Sequence, residues 1–168
     1  MLKKGFIIFV GVLACTFSSF AQDKFGYLNY GEIIQVMPEY IDAQKQVDTK
    51  TTEHETKLNT LRDELNKKFA AYQQERNTLT EELRDMREEE INNLNQRIQN
   101  YVEVARQEIQ KLQAQLLQPI QEKFTKAINA VGNENGFTSI IDSNSVLYFS
   151  PTKMVDVSSL LKAKLGIK

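Results

Sequence analysis

Apolar residues recur at intervals of three and four through the middle of the chain. The first half of the stripe is Val47, Leu58, Leu61, Leu65, Phe69 and Tyr72. The second is Leu94, Ile98, Val102, Ala105, Ile109, Leu112 and Leu116. Such spacing makes a narrow seam along a helix, as in a coiled coil. The positions between are charged or amide, so neither helix sits in a large core. No glycine or proline interrupts residues 39–118, which are rich in Gln, Glu, Lys, Arg, Leu and Ala. That composition favours helix throughout.

A turn is expected to divide this stretch. Asn77, Thr78, Leu79 and Thr80 gather its poor helix formers, and Thr78 with Glu81 fits a capping box. The midpoint of Pro38 and Pro119 falls at 78.5. Two arms of about 39 residues would then run out and back over roughly 58 Å. Asp85 to Glu90, where the seam slips, is the competing tip. Residues 38–119 thus read as an antiparallel coiled-coil hairpin with its tip near 77–80. Pro119 is expected to kink the returning helix rather than end it. Ile120, Phe124, Ile128 and Val131 extend its apolar face until Gly132 and Gly136 stop it.

Residues 22–37 and 120–168 read as a small body. Strands are expected at Phe25–Tyr30, Phe137–Asp142 and Val146–Phe149, with a helical turn at Gly31–Met37. Asp156 is placed to cap a last helix burying Leu160, Leu161 and Leu165. The fold class is α+β: a small β-barrel-type body of short strands and a C-terminal helix, bearing a long protruding hairpin. The first and third strands are apolar on both faces, and so few elements cannot build a sufficient core alone. Copies of the chain would supply the cover, in cyclic symmetry. The candidate interface is Phe25, Tyr27, Leu28, Ile33, Ile34, Ile140, Ile141, Val146, Leu147 and Tyr148. The pattern leaves the number of copies open.

The N-terminus changes the setting. Lys3 and Lys4, an apolar run from Phe6 to Leu13, and Ser19-Phe20-Ala21 have the order of a secretory signal peptide, residues 1–21, cut after Ala21. Val12-Leu13-Ala14-Cys15 also has the form of a lipoprotein box, which keeps lipid anchoring at Cys15 as a second option. Cutting there would leave an apolar stub, which favours Ala21. Without residues 1–21 the chain carries 19 basic and 22 acidic residues, closely interspersed. This is a solvated mixed-charge surface, with no nucleic-acid footprint. No second apolar run is long enough for a transmembrane helix.

Chemistry is sparse. His54 is the lone histidine, and beyond Cys15 there is no thiol. No phosphate-binding glycine loop, metal-ligand spacing or nucleophile–base pairing is found. Neither enzyme activity nor a cofactor or metal is expected. Thr51 and His54 interrupt the apolar seam near the base of the arm, which should be locally soft.

Both ends of the chain resemble the Skp/OmpH family of periplasmic chaperones. The resemblance rests on Phe25-Gly26-Tyr27-Leu28-Asn29-Tyr30 with Ile33-Ile34, and on Phe137 to Asp142 with Val146-Leu147-Tyr148. Asp156-Val157-Ser158 before Leu160-Leu161, and Leu116 to Ile120 around the proline, complete it. The resemblance implies a homotrimer whose hairpin arms surround a cavity. That cavity holds unfolded outer-membrane β-barrel proteins, without ATP, in the periplasm. Candidate client contacts are Leu65, Phe69, Tyr72, Leu79, Leu83, Met86 and Tyr101. Family members often carry basic arm tips, whereas residues 76–90 here hold three arginines and six acids. Direct contact with lipopolysaccharide or anionic membrane is therefore not expected. The alternative function is a structural or adaptor coiled coil of the cell envelope, bridging fixed partners through its tips.

Overall fold

The computed structural model describes residues 23–167, so the signal-peptide and Cys15 readings lie outside the described residues. The chain opens with strand β1 (Phe25–Leu28) and the short helix α1 (Tyr30–Gln35). Asn29 separates them: its Oδ1 accepts from the N–H of Glu32, and its Nδ2 donates to the Glu32 carboxylate. This reciprocal cap stops the strand before Tyr30, which joins the helix instead.

Helix α2 (Pro38–Glu75) has Pro38 in its first turn, where a missing N–H costs nothing. Its 38 residues reach about 57 Å. Helix α3 (Glu81–Asn135) returns. The pairs that meet run in opposite order: Glu39 with Lys123, His54 with Tyr101, Lys68 with Glu90 and Tyr72 with Glu88. The two helices therefore lie antiparallel. Between them, Thr80 caps α3 by accepting from Leu83 N–H, while the Thr78 hydroxyl turns back to the Glu75 carbonyl. The cap is thus two residues later than expected, because Thr78 is still finishing α2.

α3 continues through Pro119 and ends at Gly136, whose φ of 66° supplies the left-handed cap. Gly132 lies inside the helix, one turn before the end, and is not a stop. Two seam assignments also change. Phe69 and Val102 are exposed; Lys68 and Tyr101 take the more inward positions beside them. Inward residues on α3 run Ile91, Leu94, Ile98, Tyr101 and Ala105. That three-and-four alternation leaves Val102 one step off the seam.

Strands β2 (Ser139–Asp142) and β3 (Val155–Asp156) flank β1 in the order β2-β1-β3, both parallel to it. A parallel pair needs a crossover. Here the crossover from β1 to β2 is the whole of both arms. The sheet is open, so the chain alone forms no barrel. Val146–Phe149 is not a strand either. It passes as irregular chain, with the Phe149 ring 4.7 Å from that of Tyr27. The third strand comes later, at Val155–Asp156, where Val157 N–H also bonds to the Tyr27 carbonyl.

Helix α4 (Ser158–Leu165) packs on α3 through Leu161 and Leu165; Leu160 faces outward. Val157 holds its cap position, and Asp156 assists from one residue earlier by accepting from Ser158 N–H at 2.8 Å. The core of the body joins Leu28, Ile33, Ile34 and Met37 to Ile120, Phe124, Ala127 and Val131 of α3, with Val157 and Leu161. The base of the arm is fastened into that core through Ala43 and Ile120.

Candidate binding and assembly surfaces

The arms combine a partly polar seam with isolated exposed apolar residues. His54 is 8% exposed, and its Nδ1 lies 2.8 Å from the Tyr101 hydroxyl. Its Nε2 stands 3.3 Å from a Glu108 oxygen, within ion-pair distance but outside good hydrogen-bond alignment. Nearer the tip, Lys68 bonds Glu90 at 3.0 Å and holds that carboxyl below its usual pKa. Tyr72, 6% exposed, donates to Glu88, and that bond raises its hydroxyl pKa. At the base, Lys123 donates to Glu39 and lowers its carboxyl. These cross-links set register; exposed pairs of this kind add little stability.

The candidate client contacts divide accordingly. Tyr72 and Tyr101 are engaged between the helices, and Leu65 and Leu79 are half-buried. Phe69, Leu83 and Met86 are open to solvent, Phe69 at 49% and Met86 at 58%. Ile41, Val102 and Val104 are also exposed on the arms. Val104 and Ile41 were not singled out from the pattern. They lie among charged residues, and only the observed seam register turns them outward. An apolar cleft of about 330 Å³ lies where Ala43 leaves space against Leu116, Pro119 and Ile120.

The candidate interface divides as well. Leu28, Ile33 and Ile34 are buried in the chain's own core and cannot present a surface to another copy. Their apolar pattern reported internal packing instead. Tyr27, Ile140, Ile141 and Val146 are half-buried. Phe25, Leu147 and Tyr148 are exposed, and so are Val155 and Leu160.

A polar knot joins the motif residues of the two chain ends. Asp142 Oδ1 accepts from the N–H groups of Tyr30 and Asn144, each at 3.2 Å, and Oδ2 accepts from the Ser145 hydroxyl at 2.9 Å. Asn144 also donates to Asn29 Oδ1. Burial alone would raise the Asp142 carboxyl, but these donors together hold it below its ordinary value. Among the described residues no group of three or more His, Cys, Asp or Glu could hold a metal ion, and no helix is long and apolar enough to cross a membrane.

A small α+β body carrying two long paired helices, with apolar side chains set singly on a charged arm, defines an arm-bearing protein. The chain belongs to the OmpH-like outer membrane protein family, whose model matches residues 24–165. It is 23% identical over 153 residues to the chaperone protein Skp of Pectobacterium atrosepticum, covering 91% of this chain and 93% of that one. With Skp of Photorhabdus luminescens it shares 25% over 154 residues, covering 90% and 93%. The fold matches a proposed OmpH-like outer membrane chaperone of Caulobacter crescentus with a TM-score of 0.74, at 12% identity, over 86% and 85% of the two chains.

Proposed function

We propose that this protein is an ATP-independent periplasmic holding chaperone for unfolded outer-membrane β-barrel proteins. The observation that carries the reading is the set of apolar side chains exposed one at a time along a charged arm: Phe69, Leu83, Met86, Val102 and Val104. Scattered apolar contacts grip many sequences weakly, and Met and Phe adapt to varied partners. Weak, distributed contacts also allow release without nucleotide, because each is easily broken. Full-length similarity to chaperones named Skp supports the same reading.

The working unit in this proposal is a homotrimer joined through the body, with the arms around a shared cavity. Both flanking strands of the sheet have an open edge, and β3 is only two residues long. Phe25, Leu147, Tyr148, Val155 and Leu160 then supply apolar surface for a second copy to cover. The acidic arm tip disfavours anionic lipid as a partner.

The test is aggregation of a urea-denatured outer-membrane β-barrel protein on dilution, followed by light scattering without nucleotide. Stoichiometric suppression is expected. A Phe69→Ser, Leu83→Ser, Met86→Ser variant should suppress several-fold less while keeping its helicity. Equal suppression by the variant would remove these residues from the grip, and none by the parent chain would end the proposal.

A further inference from the structure

The C-terminal cap of α3 is built on the only Asn-Gly step in the sequence, Asn135-Gly136. Glycine stands there because the chain leaves the helix in a left-handed conformation. The N–H groups of Gly136 and Phe137 both donate to the Gly132 carbonyl. Asn135 is half-buried, and its Nδ2 donates to the Val131 carbonyl at 2.9 Å. Lys24 approaches from the N-terminal strand: its Nζ donates to the Asn135 carbonyl at 3.1 Å and lies over the Phe137 ring. From this cap the chain enters β2, with Thr138 N–H on the Lys24 carbonyl and Ser139 in register with Phe25.

The same two residues carry a reaction. In an open chain the backbone nitrogen of Gly136 can attack the side-chain amide carbon of Asn135. A C–N bond forms, the amide nitrogen leaves as ammonia with the Gly136 proton, and a five-membered succinimide remains. Water then adds to one of the two ring carbonyls and breaks its bond to nitrogen, giving aspartate or isoaspartate. Glycine favours the attack because no Cβ hinders the approach. The fold withholds what this step needs. The Gly136 proton is engaged by Gly132, and the Asn135 amide by Val131. The ring also requires a backbone conformation at Asn135 that an α-helix does not allow. It closes only after the last turn of α3 has opened.

We propose that Asn135-Gly136 is a deamidation site closed by the folded cap, so that its conversion records opening of the body. The product resists reclosure. A carboxylate that only accepts hydrogen bonds replaces the donor to Val131. It also sits beside Glu134 at the negative end of the α3 dipole. Isoaspartate in addition lengthens the main chain by one methylene just before Gly136. The paired N–H groups then miss Gly132, and β2 is delivered out of step with β1. Conversion is thus a one-way loosening of the body, independent of any client.

Incubation of residues 22–168 at mildly alkaline pH, folded or in denaturing urea, tests the site. Conversion is read by mass spectrometry in the tryptic peptide 127–153, where Asn129, Asn133 and Asn144 serve as internal comparisons. In urea, Asn135 should convert before the others. In the folded chain its conversion should be slower by about tenfold or more. Gly136→Ala, compared in urea where folding plays no part, should slow it several-fold. Equal rates in folded and unfolded chains would overturn the closed cap. Conversion led by Asn144 in urea, or unchanged by Gly136→Ala, would overturn the site. Asn135→Asp, which carries the charge of the product, should speed amide exchange over residues 137–142; exchange equal to the parent chain would remove the loosening.

Discussion

The backbone N–H of Tyr30 donates to the Asp142 carboxylate 3.2 Å away, across 112 residues of chain. Both paired helices lie between these two residues. The bond therefore ties the start of the outgoing path to the end of the returning one. With the parallel β1–β2 pair beside it, it makes the body a clamp around the base of the arms.

Replacing Asp142 by Ala removes the acceptor of three hydrogen bonds. The expected loss is about 1–3 kcal/mol, read as a lower urea midpoint at pH 7. A pH series gives a second check. The folded-state carboxyl titrates below its unfolded value of about 3.9. Its contribution is thus full above that value and is lost as pH falls through the folded pKa. As pH falls from 5 through the ordinary carboxylate range and below it, the parent chain should lose more stability than Asp142→Ala. Parallel curves would show that the knot does not depend on the ionised carboxylate.

Gly26→Ala should destabilise by about 1–3 kcal/mol through overpacking. An added Cβ would stand 2.9 Å from Val157 Cγ1 and 3.1 Å from Ile140 Cγ1. Gly136→Ala meets nothing within 4 Å, yet its φ of 66° is strained for alanine, at a cost of about 1 kcal/mol. Thermal melts of the two variants compare a packing limit with a conformational one.

Thr80→Ala should remove about 1 kcal/mol of cap stabilisation and speed amide exchange at Leu83. Thr78→Ala leaves that N–H partnered and should spare it. The reverse order of effects would restore Thr78 as the cap.

Phe124 packs edge-on to Tyr30, with ring centroids 4.8 Å apart, inside the body core. Phe124→Ala should cost about 3–5 kcal/mol in a denaturant titration. A loss below about 1 kcal/mol would mean that this side chain is not the anchor between α1 and α3.

The long helices could be read from the chain because their signals are local, seam spacing and absent breakers, whereas the cap was read two residues early, at Thr78 instead of Thr80. The body was harder, because its pairings are distant. Val146–Phe149 has a strand's composition, yet Phe149 lies against Tyr27, and the ladder beside β1 goes to the unremarkable Val155–Asp156. Leu28, Ile33 and Ile34 looked like interface residues because apolar pattern reports burial without saying what covers it. The side of the seam taken by Tyr101 rather than Val102 was decided by its bond to His54 on the other helix.

In the proposed function, the protein assembles as a trimer and holds an unfolded client between its arms. Light scattering coupled to size exclusion, on residues 22–168 with and without a urea-denatured outer-membrane β-barrel protein, tests it most directly. The expected results are a trimer mass alone and, without nucleotide, a soluble species heavier by one client. A monomer that leaves the client to precipitate would contradict the account.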